Sequence, residues 1–105
     1  MSEEYCIVIT TFADEKNGEE IIAALLDQRL AACVQVMPMQ SCYRWQGKVN
    51  RDAEQLVLIK TRRALYPEVQ KLILAHHAYE VPEIIHVPIT DGFPGYLAWM
   101  RQECA

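Results

Sequence analysis

The chain has 105 residues, 51% hydrophobic and 23% charged, with a formal net charge of −4 at pH 7. That length suits one domain over 1-105, long enough to bury roughly two thirds of its unfolded surface without covalent staples. The mild acidity, scattered rather than blocked, gives no electrostatic basis for gripping a nucleic-acid backbone or an anionic membrane.

Tyr5 to Thr11 is β-branched and apolar on both parities, the pattern of a strand covered on both faces. Asp14 is placed to cap a following helix, with Glu15, Glu19 and Glu20 near its positive end. Ile21, Ile22, Leu25, Leu26 and Leu30 then recur at helical spacing as one apolar stripe. Ala31-Ala32 allows a close approach to the sheet before Cys33-Val34-Gln35-Val36 opens a second strand. Met39 to Trp45 and Val49 to Thr61 read as the arms of a long hairpin, turned at Gln46-Gly47-Lys48, where the glycine accepts positive φ. Pro38 marks a bend or an edge position. A second helix starts near Leu65 with Pro67 in its first turn, and Val69, Leu72 and Ile73 form its inner stripe. Val81-Pro82 ends any helical continuation. Glu83 to Ile89 reads as a fourth strand cut off near Pro88. After the loop Asp91-Gly92-Phe93-Pro94-Gly95, Tyr96 to Glu103 forms a terminal helix that packs Leu97 and Met100.

The order βαββαβ plus a terminal helix predicts an α+β, ferredoxin-like fold: an antiparallel sheet with helices on one face and a long central hairpin. Two helices cover one sheet face, yet Tyr5-Cys6-Ile7-Val8-Ile9 and Leu56-Val57-Leu58-Ile59 are apolar on both. An exposed apolar face of more than a few hundred Å2 predicts self-association, with Tyr43 and Trp45 on one parity of the hairpin as interface anchors.

No stretch approaches the roughly 20 apolar residues of a spanning helix, and Met1-Ser2-Glu3-Glu4 is acidic where a signal peptide starts cationic. A cytoplasmic address is therefore expected, with Cys6, Cys33, Cys42 and Cys104 reduced. Their spacings match neither a zinc finger nor a C-x-x-C pair, and Cys33 reads as packing between helix and sheet.

The chemistry concentrates in His76-His77-Ala78-Tyr79-Glu80-Val81-Pro82-Glu83, between the second helix and the fourth strand. Imidazoles and carboxylates there are candidate metal ligands or proton carriers. His76, His77 and Glu83 form the candidate metal set, set against histidines that simply complement a helix C-terminus. Lys60, with Arg62 and Arg63, reads as a solvated edge or an anion site.

Leu30-Ala31-Ala32-Cys33, Tyr43 with Trp45, Gly47 and Lys48, and Glu54, Leu56, Lys60 and Thr61 carry a family likeness. So do His76-His77 with Tyr79, Pro82-Glu83-Ile84-Ile85, and Tyr96-Leu97 with Trp99. On these residues, across nearly its whole length, the chain resembles the CutA divalent-cation tolerance family. That resemblance implies a ferredoxin-like subunit, a homotrimer with interlocked hairpins like that of the PII signalling proteins, and a part in tolerance of copper and other divalent metals. It implies no obligatory cofactor, copper or another divalent metal being the candidate ligand. The family usually has proline where Ala78 stands. Its copper-binding members carry a cysteine where this chain has Thr10, and a hydroxyl is a poor copper ligand beside a thiolate. Two other functions are weighed against the metal reading. One is a PII-like module binding a small anion or nucleotide near Lys60 and Arg62; the other is an enzyme using His76 or His77 as base with Glu83 orienting it.

Overall fold

A computed structural model describes residues 4–105; the acidic start Met1-Ser2-Glu3 lies outside the described residues. Strand β1 (Tyr5–Phe12) leads through Asp14 into helix α1 (Glu15–Asp27). Asp14 Oδ1 accepts from the Lys16 and Asn17 amides at 3.0 and 3.3 Å, the capping its position predicts. Helix α1 ends with Arg29 at φ 57°. The Arg29 amide donates to the Leu26 carbonyl and the Leu30 amide to the Leu25 carbonyl, so two terminal carbonyls are satisfied by a left-handed residue. The Arg29 guanidinium then donates to the carbonyls of Gln102, Glu103 and Cys104, which ties this corner to the end of the chain.

Strands β2 (Cys33–Trp45) and β3 (Lys48–Arg62) form the hairpin, in continuous register from Cys33 opposite Lys60 to Trp45 opposite Lys48. Strand β2 runs straight through Pro38, joining two segments that the sequence reading keeps apart. It is an edge strand, so one face of its backbone needs no ladder donor. At the tip, Gln46 (φ 52°) and Gly47 (φ 79°) both lie in the left-handed region, as a two-residue primed turn requires. A single 3-10 turn, Arg63–Leu65, precedes helix α2 (Tyr66–His76). Strand β4 (Ile85–Ile89) begins two residues later than predicted and continues past Pro88, again because it is an edge. Helix α3 (Pro94–Glu103) closes the fold.

The four strands are antiparallel in the order β2-β3-β1-β4. Cys6, Val8, Val57 and Ile59 share one sheet face and pack with Ile21, Leu25, Val69, Leu72 and Ile73 of α1 and α2 into the main core. Ile7, Ile9, Leu58 and Lys60 occupy the other parity, beside Met37 of β2 and Ile85 and Val87 of β4. Helix α3 approaches this second face at the Lys60 end, where the ammonium lies 5.5 Å from the centre of the Tyr96 ring. Away from that helix the face stays open. Met37 keeps 54% of its surface exposed and Ile85 49%.

Candidate functional site

A cleft of about 710 Å3 opens where the hairpin leaves the body of the domain. The end of β1 contributes Thr11, and the hairpin contributes Ser41, Cys42, Tyr43, Trp45 and Glu54. The loop after α2 supplies Tyr79 and the rim from Glu80 to Glu83. The antiparallel pairing places Met39 opposite Glu54, and Thr11 lies opposite Leu56 of the same strand.

Glu54 is the centre of this arrangement. It is only 9% exposed, and its Oε2 accepts from the Tyr79 hydroxyl at 2.7 Å. Burial alone would raise its pKa, but donation from Ser41, Tyr79 and Thr11 holds the carboxyl below its usual range. Burial, reinforced by the Glu54 carboxylate, pushes the Tyr79 phenol above its ordinary range, so it remains a donor. Farther out on the hairpin the Tyr43 hydroxyl donates to Asp52, and that bond raises the Tyr43 pKa as well.

The two adjacent histidines do different things. His77 sits beyond the C-terminus of α2, its ring stacked on Phe12 with centroids 5.3 Å apart and tilted against Tyr79 at 4.7 Å. Its Nε2 lies 2.7 Å from the Thr11 carbonyl oxygen, and its Nδ1 accepts from the Tyr79 amide at 3.0 Å. This network assigns the proton to Nε2 and engages both ring nitrogens. His76, the last residue of α2, is exposed. Its carbonyl accepts from Asn17 Nδ2 at 2.6 Å, while Asn17 Oδ1 accepts from the Ala78 amide at 3.1 Å. Asn17 thereby pins the start of the loop to α1.

Glu83 is exposed on the cleft rim, in the loop that follows α2 and seven residues beyond His76. Thr10 is fully buried on the helix-covered parity opposite Val57, enclosed in the core and pointing away from Thr11. Lys60 is half-buried over Tyr96, and Arg62 donates to the Ala105 carbonyl at 2.8 Å. Cys33 pairs with Lys60 on the parity away from α1 and α2, at the end of the face that α3 approaches, and is half-buried there. Tyr43 and Trp45 are exposed on the hairpin, Trp45 at 44%. Among the described residues, no three His, Cys, Asp or Glu side chains are grouped to hold a metal ion. A preformed metal centre therefore does not fit this donor set. Sequence reasoning missed Glu54 and Asn17 as organisers of the site. The one available signal was a carboxylate in an apolar strand, at a parity that the neighbouring leucines fill.

The fold and its cleft define a ferredoxin-like α+β subunit whose functional groups gather at the base of a projecting hairpin. The family model "CutA1 divalent ion tolerance protein" matches residues 6–103. A divalent-cation tolerance protein CutA from Thermus thermophilus is 42% identical over 91% of this chain and 94% of its own length. The chloroplastic CutA protein of Arabidopsis thaliana is 38% identical over 90% of this chain, which spans only 53% of that longer relative. The crystal structure of CutA1 from Oryza sativa superposes with a TM-score of 0.93 at 35% identity, covering 99% of this chain and 96% of that one. The chain belongs to the CutA1 divalent ion tolerance family.

Proposed function

We propose that this chain serves divalent-cation tolerance as a cytoplasmic homotrimer that coordinates metal weakly and transiently at its surface, with no obligatory cofactor and no catalysed reaction. The observation that carries the metal reading is the contrast between its histidines. His77 is committed to the Thr11 carbonyl and the Tyr79 amide, whereas His76 is exposed at the last position of α2, ahead of the loop that carries the exposed carboxylates of Glu80 and Glu83. His76 and Glu83 are the ligands proposed here; His77 could join them only by releasing the Tyr79 amide. Few ligands without a preformed geometry give micromolar or weaker binding. Imidazole with carboxylate suits zinc at least as well as copper, since the thiol of the copper-binding relatives is replaced by the enclosed Thr10.

Self-association is supported by the open apolar face and by the projecting hairpin. The number three comes from the likeness to the family. The compartment is the part of the proposal that relatives constrain least: the Arabidopsis protein is described as chloroplastic, and among the described residues no helix is long and apolar enough to cross a membrane.

Calorimetric titration with Cu2+ and Zn2+ tests the metal reading. The native protein is expected to bind, His76→Ala and Glu83→Gln each to bind more weakly, and binding to fade below about pH 6 as imidazole protonates. Equal heats from native protein and His76→Ala would move the metal elsewhere.

A further inference from the structure

Two buried thiols take no part in the cleft or in the proposed metal set. Cys6 is fully enclosed, Cys104 is 4% exposed, and both are free. They meet at one side chain. Cys6 is the cross-strand partner of Thr61 in the β1–β3 ladder, and Cys104 Sγ lies 3.7 Å from the Thr61 hydroxyl oxygen. That hydroxyl donates its own proton to the Leu30 carbonyl at 2.7 Å, which leaves the Cys104 thiol as the donor toward it. Directly opposed residues of an antiparallel pair hold their Cβ atoms about 5 Å apart, so the two sulfurs flank Thr61. Cys6 and Thr61 lie on the helix-covered parity of the sheet, away from the face that a neighbouring copy would cover. The two thiols are held differently. Cys6 is paired on both sides, with Thr61 of β3 and Pro88 of β4, and is fixed in place. Burial pushes its thiol up to about 11, Arg63 opposing the rise and Cys104 adding to it, and an un-ionised thiol is a poor nucleophile. Cys104 follows the last turn of α3, and its segment is clamped from outside. The Arg29 guanidinium donates to the carbonyls of Gln102, Glu103 and Cys104, and Arg62 donates to that of Ala105. Most of these bonds are exposed to solvent, and such a segment opens locally at far less cost than the core.

We propose that Cys6 and Cys104 are an intramolecular disulfide site, oxidised by a peroxide when the Arg29 clamp opens, which staples the end of α3 to β1. Cys104, released into water, ionises and attacks a peroxide oxygen. Its S–O bond forms, the O–O bond breaks, and the departing hydroxide takes up the thiol proton as water, leaving a sulfenic acid. On reclosure the Cys6 sulfur attacks Cys104 Sγ. The S–S bond forms, the S–O bond breaks, and the second hydroxide leaves as water with the Cys6 proton. Two thiols and one hydrogen peroxide become one disulfide and two waters. The bridge closes a loop of nearly the whole chain, the case in which a cross-link removes most freedom from the unfolded state. A pool of small thiols reverses it, as befits a disulfide in a reducing compartment. The inference is independent of the metal reading, because neither thiol is among the proposed ligands.

Hydrogen peroxide added to the native protein, followed by alkylation in denaturant and peptide mass mapping, tests this. The expected product is a Cys6–Cys104 peptide pair, lighter by the two thiol hydrogens. The exposed Cys42 serves as the internal measure that oxidant was sufficient. The oxidised protein should unfold at a higher urea concentration than the reduced one, and dithiothreitol should restore the reduced midpoint. Cys104→Ser, beside the chain end and outside the main core, should show neither the bridge nor the rise. Arg29→Gly keeps the left-handed backbone at that position and removes the clamp; it should form the bridge severalfold faster. Recovery of Cys6 and Cys104 both alkylated, under conditions that oxidise Cys42, would overturn the proposal. So would a bridge from Cys104 to Cys33 or Cys42 instead, an oxidised midpoint no higher than the reduced one, or a rate that Arg29→Gly leaves unchanged.

Discussion

Glu54 owes its charge to three neutral neighbours. Desolvation works against its ionised form, and donors from Ser41, Tyr79 and Thr11 more than offset that cost. The sign of the resulting pH dependence is fixed by the direction of the shift. A carboxyl whose folded pKa lies below its unfolded value stabilises the fold fully above the unfolded pKa, and that contribution is lost as pH falls through the folded one. Urea unfolding of the native protein should therefore weaken on acidification through the carboxylate range. In Glu54→Gln the same limb should be shallower by the contribution of one group. Parallel acid limbs for the two proteins would mean that Glu54 is not held ionised by its donors. This residue was only half legible in the sequence: its place in the hairpin could be read, but its partner Tyr79 lies 25 residues away, beyond any local pattern. The histidines were legible as a pair and not as two roles, because only the fold brings the Thr11 carbonyl to His77.

Helix α1 reaches the site through one missing side chain. A Cβ on Gly18 would stand 2.6 Å from Cδ2 and 2.9 Å from Cγ of Phe12, a ring that is itself buried and stacked on His77. In an open helix, glycine to alanine gains about 0.5–1 kcal/mol from backbone entropy. Here the added methyl group overpacks a ring with no room to retreat, at a cost of about 1–3 kcal/mol. Gly18→Ala is thus expected to be net destabilising, by about 1 kcal/mol or more in the shift of the urea midpoint, and to loosen the His77 bond to Thr11. A gain in stability would show that Phe12 has space the packing denies it. The strands and helices themselves were readable from periodicity, and the Asp14 cap from its chemistry. At Pro38 the edge position was legible but the continuity of β2 through it was not, and β4 starts two residues after Glu83 and passes Pro88, since both strands are sheet edges. Residue type gave no sign of Arg29 and Gln46, non-glycine residues at positive φ whose conformation is set by the helix-ending and hairpin hydrogen bonds around them.

The principal extents of the molecule, 46 × 25 × 22 Å, are those of a compact body drawn out along its hairpin. Thirteen residues of β2 at ~3.3 Å each span roughly 43 Å, so the arm accounts for the long axis. An arm of that length is barely stable alone in water, and Trp45, Tyr43 and Val49 lie near its exposed end. The open sheet face presents the same problem on a broader surface, with Met37, Ile85 and Val87 uncovered. The proposed trimer resolves both at once, by laying the hairpin of one copy against the uncovered strands of the next. Trp45→Glu tests it at the point of greatest leverage: a charge placed in such an interface without a partner costs several kcal/mol, yet on the exposed hairpin of a lone subunit it should cost little. Light scattering at micromolar concentration is expected to give native protein the mass of three subunits and the variant a smaller mass with its secondary structure retained. A native mass of one subunit would remove the assembly altogether. A variant that keeps the native mass would show that the hairpin is no arm, and would leave the sheet face alone to hold the copies together.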